Sequence, residues 1–392
     1  MPICLIEITN DCNQKCKYCY RKNSIYSNNA SLDYLSLAKS IGTREFSTII
    51  LTGGEPLLSK ETIIKFLEKI DENISNFIIL TNGSLIENSI IDELLLCKKN
   101  VSFQISLDSI NKQIHEKNRI GESTFIYAVN ACISLYKKGV KYEISTVISY
   151  DNINHIDEVA LFAFLTGCNV VHFQECISWD ETSGLIKPYF STKERAFLEK
   201  KILLLKKRWD GMLNISLMPS YDEYFSSLLD NEWDGIVIKT DGSYAPDCLI
   251  PVYYYDKFPN VSPIQYYNNI NNNEYREKIN LFLKKSIKNF SRVDNFNKLI
   301  CKKLNNESFI NTVPLIKNIE LYKWTGKIIA NEKAIDCNDS MNFIIHLIAQ
   351  GEDVSCISNK LSKFYKIDHD KALIDTLIAI RQLIDRNIFQ WS

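Results

Sequence analysis

Leu5-Ile6-Glu7-Ile8-Thr9-Asn10-Asp11-Cys12-Asn13-Gln14-Lys15-Cys16-Lys17-Tyr18-Cys19-Tyr20 decides how the rest of the chain is read. Its first part belongs to an apolar, β-branched segment, Ile3 to Thr9, which reads as a strand. Its second part sets cysteines at positions 12, 16 and 19, a C-x3-C-x2-C spacing on one short loop just beyond that strand. Three thiolates on one loop can converge on a single inorganic centre. An iron-sulfur cluster held by three cysteines keeps one iron open, and such an iron can bind a substrate or cofactor directly. Zinc also favours clustered thiolates, but its structural sites want four protein ligands. No nearby fourth Cys or His is evident, since Cys4 is on the strand and Cys97 is far away.

That strand is the first of six. Thr48 to Thr52, Phe77 to Thr81, Val101 to Ser106, Tyr142 to Ile148 and Val170 to Glu175 are further strand-like runs. Between them lie amphipathic helical stretches such as Leu32 to Ile41, Thr62 to Ile70 and Phe125 to Lys138. The alternation predicts an α/β fold with a parallel sheet, a partial (β/α)6 barrel of the TIM type. Loops after the strand C-termini would form its active face. The cysteine loop lies there. So do Thr52-Gly53-Gly54-Glu55-Pro56, Thr81-Asn82-Gly83 and Ser106-Leu107-Asp108, after the second, third and fourth strands. Glycines at a strand's end let the backbone approach a ligand and leave its amide and carbonyl groups free to bond. The polar residues of the other two loops either face a ribose or carboxylate or serve as turns and caps.

Together the cysteine loop and the GGEP loop in second-strand register resemble the signature of the radical S-adenosylmethionine superfamily. The resemblance implies a [4Fe-4S] cluster on Cys12, Cys16 and Cys19, with the free iron chelated by S-adenosylmethionine. One-electron reduction would then yield a 5′-deoxyadenosyl radical that abstracts hydrogen from a substrate. It also implies that Gly53, Gly54, Glu55 and Pro56 contact the cofactor's methionine amino group and that Tyr18 sits beside the adenine. The resemblance likewise makes Thr81, Asn82, Ser106 and Asp108 candidates for the rest of the cofactor site, with turn and cap roles as the alternative. The run from Ser106 through His115, Arg119 and Gly121 to Phe125 resembles the corresponding stretch in peptide-modifying members. Arg119 is a candidate to bind a carboxylate of cofactor or substrate, with a solvated surface arginine as the alternative, and His115 reads as structural.

Beyond Glu175 the periodicity changes. A helix is predicted from about Thr192 to Arg208, followed by a β-rich passage with Gly235 to Lys239 and a turn at Asp241-Gly242. Ile238 to Cys248 resembles the hairpin opening the SPASM/twitch extension of peptide-modifying relatives, but the later C-x2-C groups are missing, so a complete auxiliary cluster is doubtful. Cys248 is then a candidate hydrogen-atom donor, with an apolar half-buried cysteine as the plain alternative.

The chain's end has a different grammar. Ile319 to Lys323 and Lys327 to Asn331 read as a hairpin around Trp324-Thr325-Gly326, followed by a strand, Ala334 to Cys337. Helices are predicted over Ser340 to Ala349, Val354 to Tyr365 and about Asp370 to Arg386. This winged-helix-like (βββααα) module resembles the PqqD-like precursor-recognition elements, in which a leader peptide adds as a strand to a sheet edge, with a dimerisation module as the plain alternative. The predicted organisation is therefore 1–210 barrel, 211–311 bridging region with the degenerate hairpin, and 312–392 peptide-binding domain.

Bulk properties narrow the partners. Among 392 residues, 46 basic side chains balance 47 acidic ones, which leaves no electrostatic footprint for nucleic acid or an anionic membrane. No apolar run approaches a membrane span. The 12 cysteines are spread too thinly for a secreted disulfide framework, and the start lacks a signal-peptide pattern, so a cytoplasmic location is expected. The reading is a maturase of a ribosomally made peptide (a RiPP maturase), served by a flavodoxin- or ferredoxin-type reductant. Carbon-carbon or thioether crosslinking is its first choice and epimerisation through Cys248 its second. A non-catalytic, cluster-holding sensor is the competing class.

Overall fold

The computed structural model describes residues 2–19, 21, 32–41, 46–71, 74, 76–179, 186–187, 189–219, 221–230 and 235–247, isolated positions between 263 and 285, and most of 315–390. In chain order the first strands are β1 (Ile3–Thr9), β2 (Lys15–Cys16), β3 (Thr48–Gly53), β4 (Asn76–Thr81), β5 (Val101–Ser106), β6 (Arg119–Ile120), β7 (Tyr142–Ile148) and β8 (Val170–Glu175). After them come β9 (Ser178–Trp179), β10 (Ile186–Lys187), β11 (Asn214–Leu217), β12 (Gly235–Ile238) and β13 (Tyr244–Ala245). The helices are α1 (Tyr34–Ser40), α2 (Lys60–Lys69), α3 (Asn88–Leu96), α4 (Lys112–Asn118), α5 (Thr124–Lys137), α6 (Ile156–Leu165), α7 (Thr192–Arg208) and α8 (Tyr221–Asp230). All six strands read from the sequence are present.

Among the described residues, nine strands form the main sheet in the order β11-β8-β7-β5-β4-β3-β1-β12-β13. From β1 to β11 the neighbours follow chain order and every pairing is parallel. A parallel sheet that grows in one direction through right-handed crossovers keeps its helices on one face. The opposite face is left concave, as in a barrel. Residue alternation matches: Val101, Phe103 and Ile105 are buried, while Ser102, Gln104 and Ser106 are half-buried on the other face. The sheet also runs past the six β/α units. β12 lies parallel to β1, with Ile3 opposite Gly235 and Ile6 opposite Ile238, and β13 pairs antiparallel to β12.

Near the C-terminus, β14 (Leu315–Ile316) precedes a three-stranded antiparallel sheet of β15 (Ile319–Leu321), β16 (Lys327–Ala330) and β17 (Lys333–Asp336). Then follow α9 (Asp339–Ala349), α10 (Val354–Tyr365), α11 (His369–Asp385) and β18 (Phe389–Gln390), which pairs with β14. Asp353 caps α10 by accepting from Cys356 N at 2.6 Å. α11 packs on α6, which is why α6 is buried from Glu158 to Leu165 with hardly a polar face. Arg381 of α11 reaches over two rings beneath it, 5.5 Å from the centre of Phe164 and 5.8 Å from that of Tyr136. Gly167 leaves the room for this, since a Cβ there would meet Tyr136 ring carbons at 2.4 Å.

Candidate functional site

The cysteine loop leaves the top of β1 and is fastened on both flanks. Thr9 Oγ1 accepts from Asp11 N at 3.1 Å and starts the turn. Lys15 and Cys16 pair with Ile120 and Arg119, and Lys17 N donates to Asn118 O at 2.9 Å, so the loop's middle is held against the stretch after α4. Cys12, Cys16 and Cys19 are free thiols, exposed or half-buried. Burial pushes the Cys12 and Cys16 thiols up, while the Arg119 guanidinium pulls Cys16 back down.

On the β3 side the GGEP loop meets the cysteine loop backbone to backbone. Gly54 N donates to Thr9 O and Glu55 N to Asp11 O, both at 2.8 Å. Side chains cannot fit between them: a Cβ on Gly54 would lie 2.1 Å from Asp11 O, and one on Gly53, at φ +147, would lie 2.4 Å from Thr9 O. Sequence reasoning took the glycine amides and carbonyls as free for a ligand; the Gly54 amide instead helps hold the loop, as does that of Glu55.

Glu55 is fully buried, and among the described residues its carboxylate accepts from neutral donors. Oε1 accepts from Thr81 Oγ1 at 2.7 Å and Leu57 N at 3.1 Å, and Oε2 accepts from Asn82 N at 2.8 Å. Burial raises its carboxyl above the ordinary range, against the pull of those donors. Pro56 opens the short 3-10 turn that Glu55 caps. Asn82 continues the contact, donating through Nδ2 to Asn13 Oδ1 at 2.9 Å in the cysteine loop.

On the β5 side Asp108 organises the site. Arg119 donates to it through Nε at 3.0 Å and Nη2 at 3.3 Å, Val147 N donates at 3.1 Å, and the Tyr18 hydroxyl donates to the same carboxylate. Arg119 also points Nη1 at Cys16 Sγ, 3.9 Å away, and lies 5.6 Å from the Tyr18 ring centre. It is 7% exposed, which excludes the solvated surface arginine. Burial alone would lower the Arg119 pKa, but Asp108 outweighs it and keeps the guanidinium charged. The Tyr18 hydroxyl is pushed well above its usual range by burial. His115 backs the group by accepting from Asp108 N at 3.2 Å, and burial holds its imidazole down at about 4.

The concave face below these loops carries a polar row across β5, β7, β8 and β11. Ser106 stands level with Ser145, Ser145 with His172, and His172 with Ser216. His172 is 2.9 Å from Glu143 Oε2 and 2.7 Å from Ser216 Oγ, and Gln104 donates to Glu143 at 3.4 Å. The His172 hydrogen bond lowers the Glu143 carboxyl. Sequence reasoning named Ser106 but missed Ser145, His172 and Ser216; the alternation of polar residues in β5, at Glu143 and Ser145 in β7 and at His172 and Gln174 in β8 was their signal. Cys248 lies outside the described residues.

A [4Fe-4S] cluster needs three thiolates on separate irons and charge compensation nearby. The donor set fits: three free thiols on one loop, a buried guanidinium at Cys16, and Gln14 Nε2 buried with no hydrogen-bond partner among the described residues. Among those residues no three His, Cys, Asp or Glu side chains are grouped for a single ion, and a cluster spreads its thiolates wider than one ion does.

Residues 6–163 match the family model described as Radical SAM superfamily. The antilisterial bacteriocin subtilosin biosynthesis protein AlbA of Bacillus subtilis strain 168 is 22% identical over 255 residues, covering 64% of this chain and 56% of AlbA. A probable GTP 3′,8-cyclase of Sulfurisphaera tokodaii is 27% identical over 214 residues, covering 52% of this chain and 64% of that protein. SuiB of Streptococcus suis bound to S-adenosylmethionine shares the fold with a TM-score of 0.57 at 14% identity, over 71% of this chain and 67% of SuiB. The chain spans about three-fifths of the length of the curated relatives it matches. A [4Fe-4S] cluster and S-adenosylmethionine are the cofactors of this family. With its cysteine loop, its GGEP loop and its singly wound sheet, the segment from residue 6 to 163 is a Radical SAM superfamily domain, in a chain similar to a bacteriocin biosynthesis protein.

Proposed function

We propose that the chain is a radical S-adenosylmethionine enzyme that modifies a ribosomally synthesised precursor peptide. Residues 1–210 form the catalytic barrel, 211–311 bridge it with a degenerate SPASM/twitch-like hairpin, and 312–392 bind the leader as a PqqD-like module. Cys12, Cys16 and Cys19 hold the cluster. Tyr18, Gly53, Gly54, Glu55, Pro56, Thr81, Asn82, Ser106, Asp108 and Arg119 wall the S-adenosylmethionine site. The cofactors together supply a 5′-deoxyadenosyl radical that takes hydrogen from the peptide. The chain's own residues keep the loops in register, and the row from Ser106 to His172 offers the substrate hydrogen bonds along the barrel's open side.

One observation supports this reading: the segment that carries β15–β17 and α9–α11 packs on the barrel through Arg381, Phe164 and Tyr136. Peptide recognition on such an attachment raises the effective concentration of the core peptide near the radical. AlbA's part in bacteriocin biosynthesis and the structure of SuiB with its precursor peptide SuiA support the substrate class. Carbon-carbon or thioether crosslinking is the outcome we favour, with a flavodoxin- or ferredoxin-type protein as electron donor in the cytoplasm. Among the described residues no helix is long and apolar enough to cross a membrane.

The test is anaerobic incubation of the reconstituted protein with the product of a short reading frame neighbouring its own. A peptide lighter by two hydrogens, with 5′-deoxyadenosine formed, is the expected result. Unchanged mass with deuterium taken up from heavy water indicates epimerisation. Turnover of GTP in place of any peptide overturns the substrate class, and absence of 5′-deoxyadenosine overturns the enzyme itself.

A further inference from the structure

Below the cysteine loop, on the concave side of β1, the Glu7 carboxylate is 0% exposed and receives two cations on one oxygen. Arg21 Nη1 lies 3.0 Å from Oε1 and Lys239 Nζ donates to the same atom at 2.8 Å. The other carboxylate oxygen, buried as well, has no hydrogen-bond partner among the described residues. A buried carboxylate persists only with such compensation.

Arg21 does more than neutralise. Its Nη2 donates to Asn10 Oδ1. Asn10 stands two residues before Cys12 and Arg21 two residues after Cys19, so one guanidinium spans the mouth of the cysteine loop and anchors it to Glu7. Lys239 supports that anchor from a remote part of the chain. The β1–β12 register, ending with Ile6 opposite Ile238, brings Lys239 beside Glu7, and a tight turn holds it there, with Lys239 N donating to Ser243 O at 2.8 Å and Gly242 N to Lys239 O at 2.9 Å. Thr240 O in the same turn accepts from Leu32 N at 3.1 Å, and Tyr34 donates to Glu7 O and Ile8 O at 2.9 and 2.7 Å.

We infer that the β12–β13 hairpin is part of the cluster-holding machinery, with Lys239 a positioning residue that acts through Glu7 and Arg21 to keep the loop's mouth closed. This rests on the assignment of the cluster to Cys12, Cys16 and Cys19. Lys239 reaches the cysteine loop through Glu7 and Arg21, so its loss should shorten the life of the cluster without abolishing the fold.

The experiment reconstitutes the full-length chain anaerobically and follows loss of the cluster's visible absorbance under excess ferrous chelator, alongside circular dichroism of each variant. Lys239→Met should lose its cluster about tenfold faster than wild type, in line with other residues that orient metal ligands. Lys239→Arg should restore a lifetime close to wild type, and Lys239→Gln, a gentler variant that keeps a donor, should fall between. Lys201→Met, which removes the 3.0 Å pair with Asp157 on the outer helices, should leave the lifetime unchanged. A Met variant that keeps its cluster as long as wild type, or a Lys201→Met variant that loses it equally fast, overturns the inference. The wild-type cluster content reads the cluster assignment separately, so the two failures are told apart.

Discussion

Glu55 and Asp108 flank the cysteine loop, both buried carboxylates, and they are stabilised in opposite ways. Among the described residues Glu55 accepts from neutral donors, the Thr81 hydroxyl and the Leu57 and Asn82 amides, and burial pushes its carboxyl up. Asp108 is paired with a guanidinium that also reaches Cys16. The difference teaches what each flank is for. Neutral donors fix geometry and demand little of the charge balance. The ion pair places a permanent positive charge where thiolates must gather, and its buried partners depend on each other.

The largest effect should come from breaking the ionic flank. Asp108→Asn leaves Arg119 buried without its counter-charge and should cost about 3–5 kcal/mol in urea unfolding. A cost near that of a surface substitution would remove the ionic half of the comparison.

His115 behind Asp108 sharpens it through pH. Its folded pKa of about 4 lies below the ordinary 6.5, so the unfolded chain takes up the proton first as pH falls. The contribution of neutral His115 is complete above about pH 6.5 and lost progressively towards pH 4, by up to about 3 kcal/mol at 1.36 kcal/mol per pKa unit. Urea midpoints at pH 7 and pH 5 should therefore drop more in wild type than in His115→Gln. Equal drops would contradict the assignment.

The smallest effect belongs to the neutral flank. Glu55→Gln should cost about 1–3 kcal/mol, since one amide hydrogen now faces a donor. Because burial raises the Glu55 pKa, the wild-type carboxyl contributes most below the unfolded value near 4.5 and less as pH rises through the folded one. The penalty of the substitution should shrink from pH 5 to pH 7. A penalty that grows over that interval would reverse the sign given to Glu55.

Much of this was legible locally. The six strands are β-branched runs, and α7 forms over Thr192–Arg208 as predicted because Ser191 and Glu194 make a capping box in front of it. The cysteines and the GGEP loop were readable as motifs, because close approach of two loops demands particular residues at short spacing. What could not be read depends on pairs distant in sequence. Glu7 and Lys239 are 232 positions apart, and only the parallel placement of β12 beside β1 makes them neighbours. Likewise, nothing local says that Gly54 and Glu55 would spend their amides on the Thr9 and Asp11 carbonyls, which the end of β1 and the cysteine loop supply. The two-residue strands β14 and β18 carry too little pattern to announce their pairing.

Everything depends on a cluster that leaves one iron open. Electron paramagnetic resonance of the anaerobically reduced protein, recorded with and without S-adenosylmethionine, tests this most directly. The account predicts a reduced [4Fe-4S] signal that changes shape when S-adenosylmethionine is added and disappears in the Cys12→Ala, Cys16→Ala, Cys19→Ala triple variant. A signal indifferent to S-adenosylmethionine, or one that survives removal of the three thiols, would contradict it.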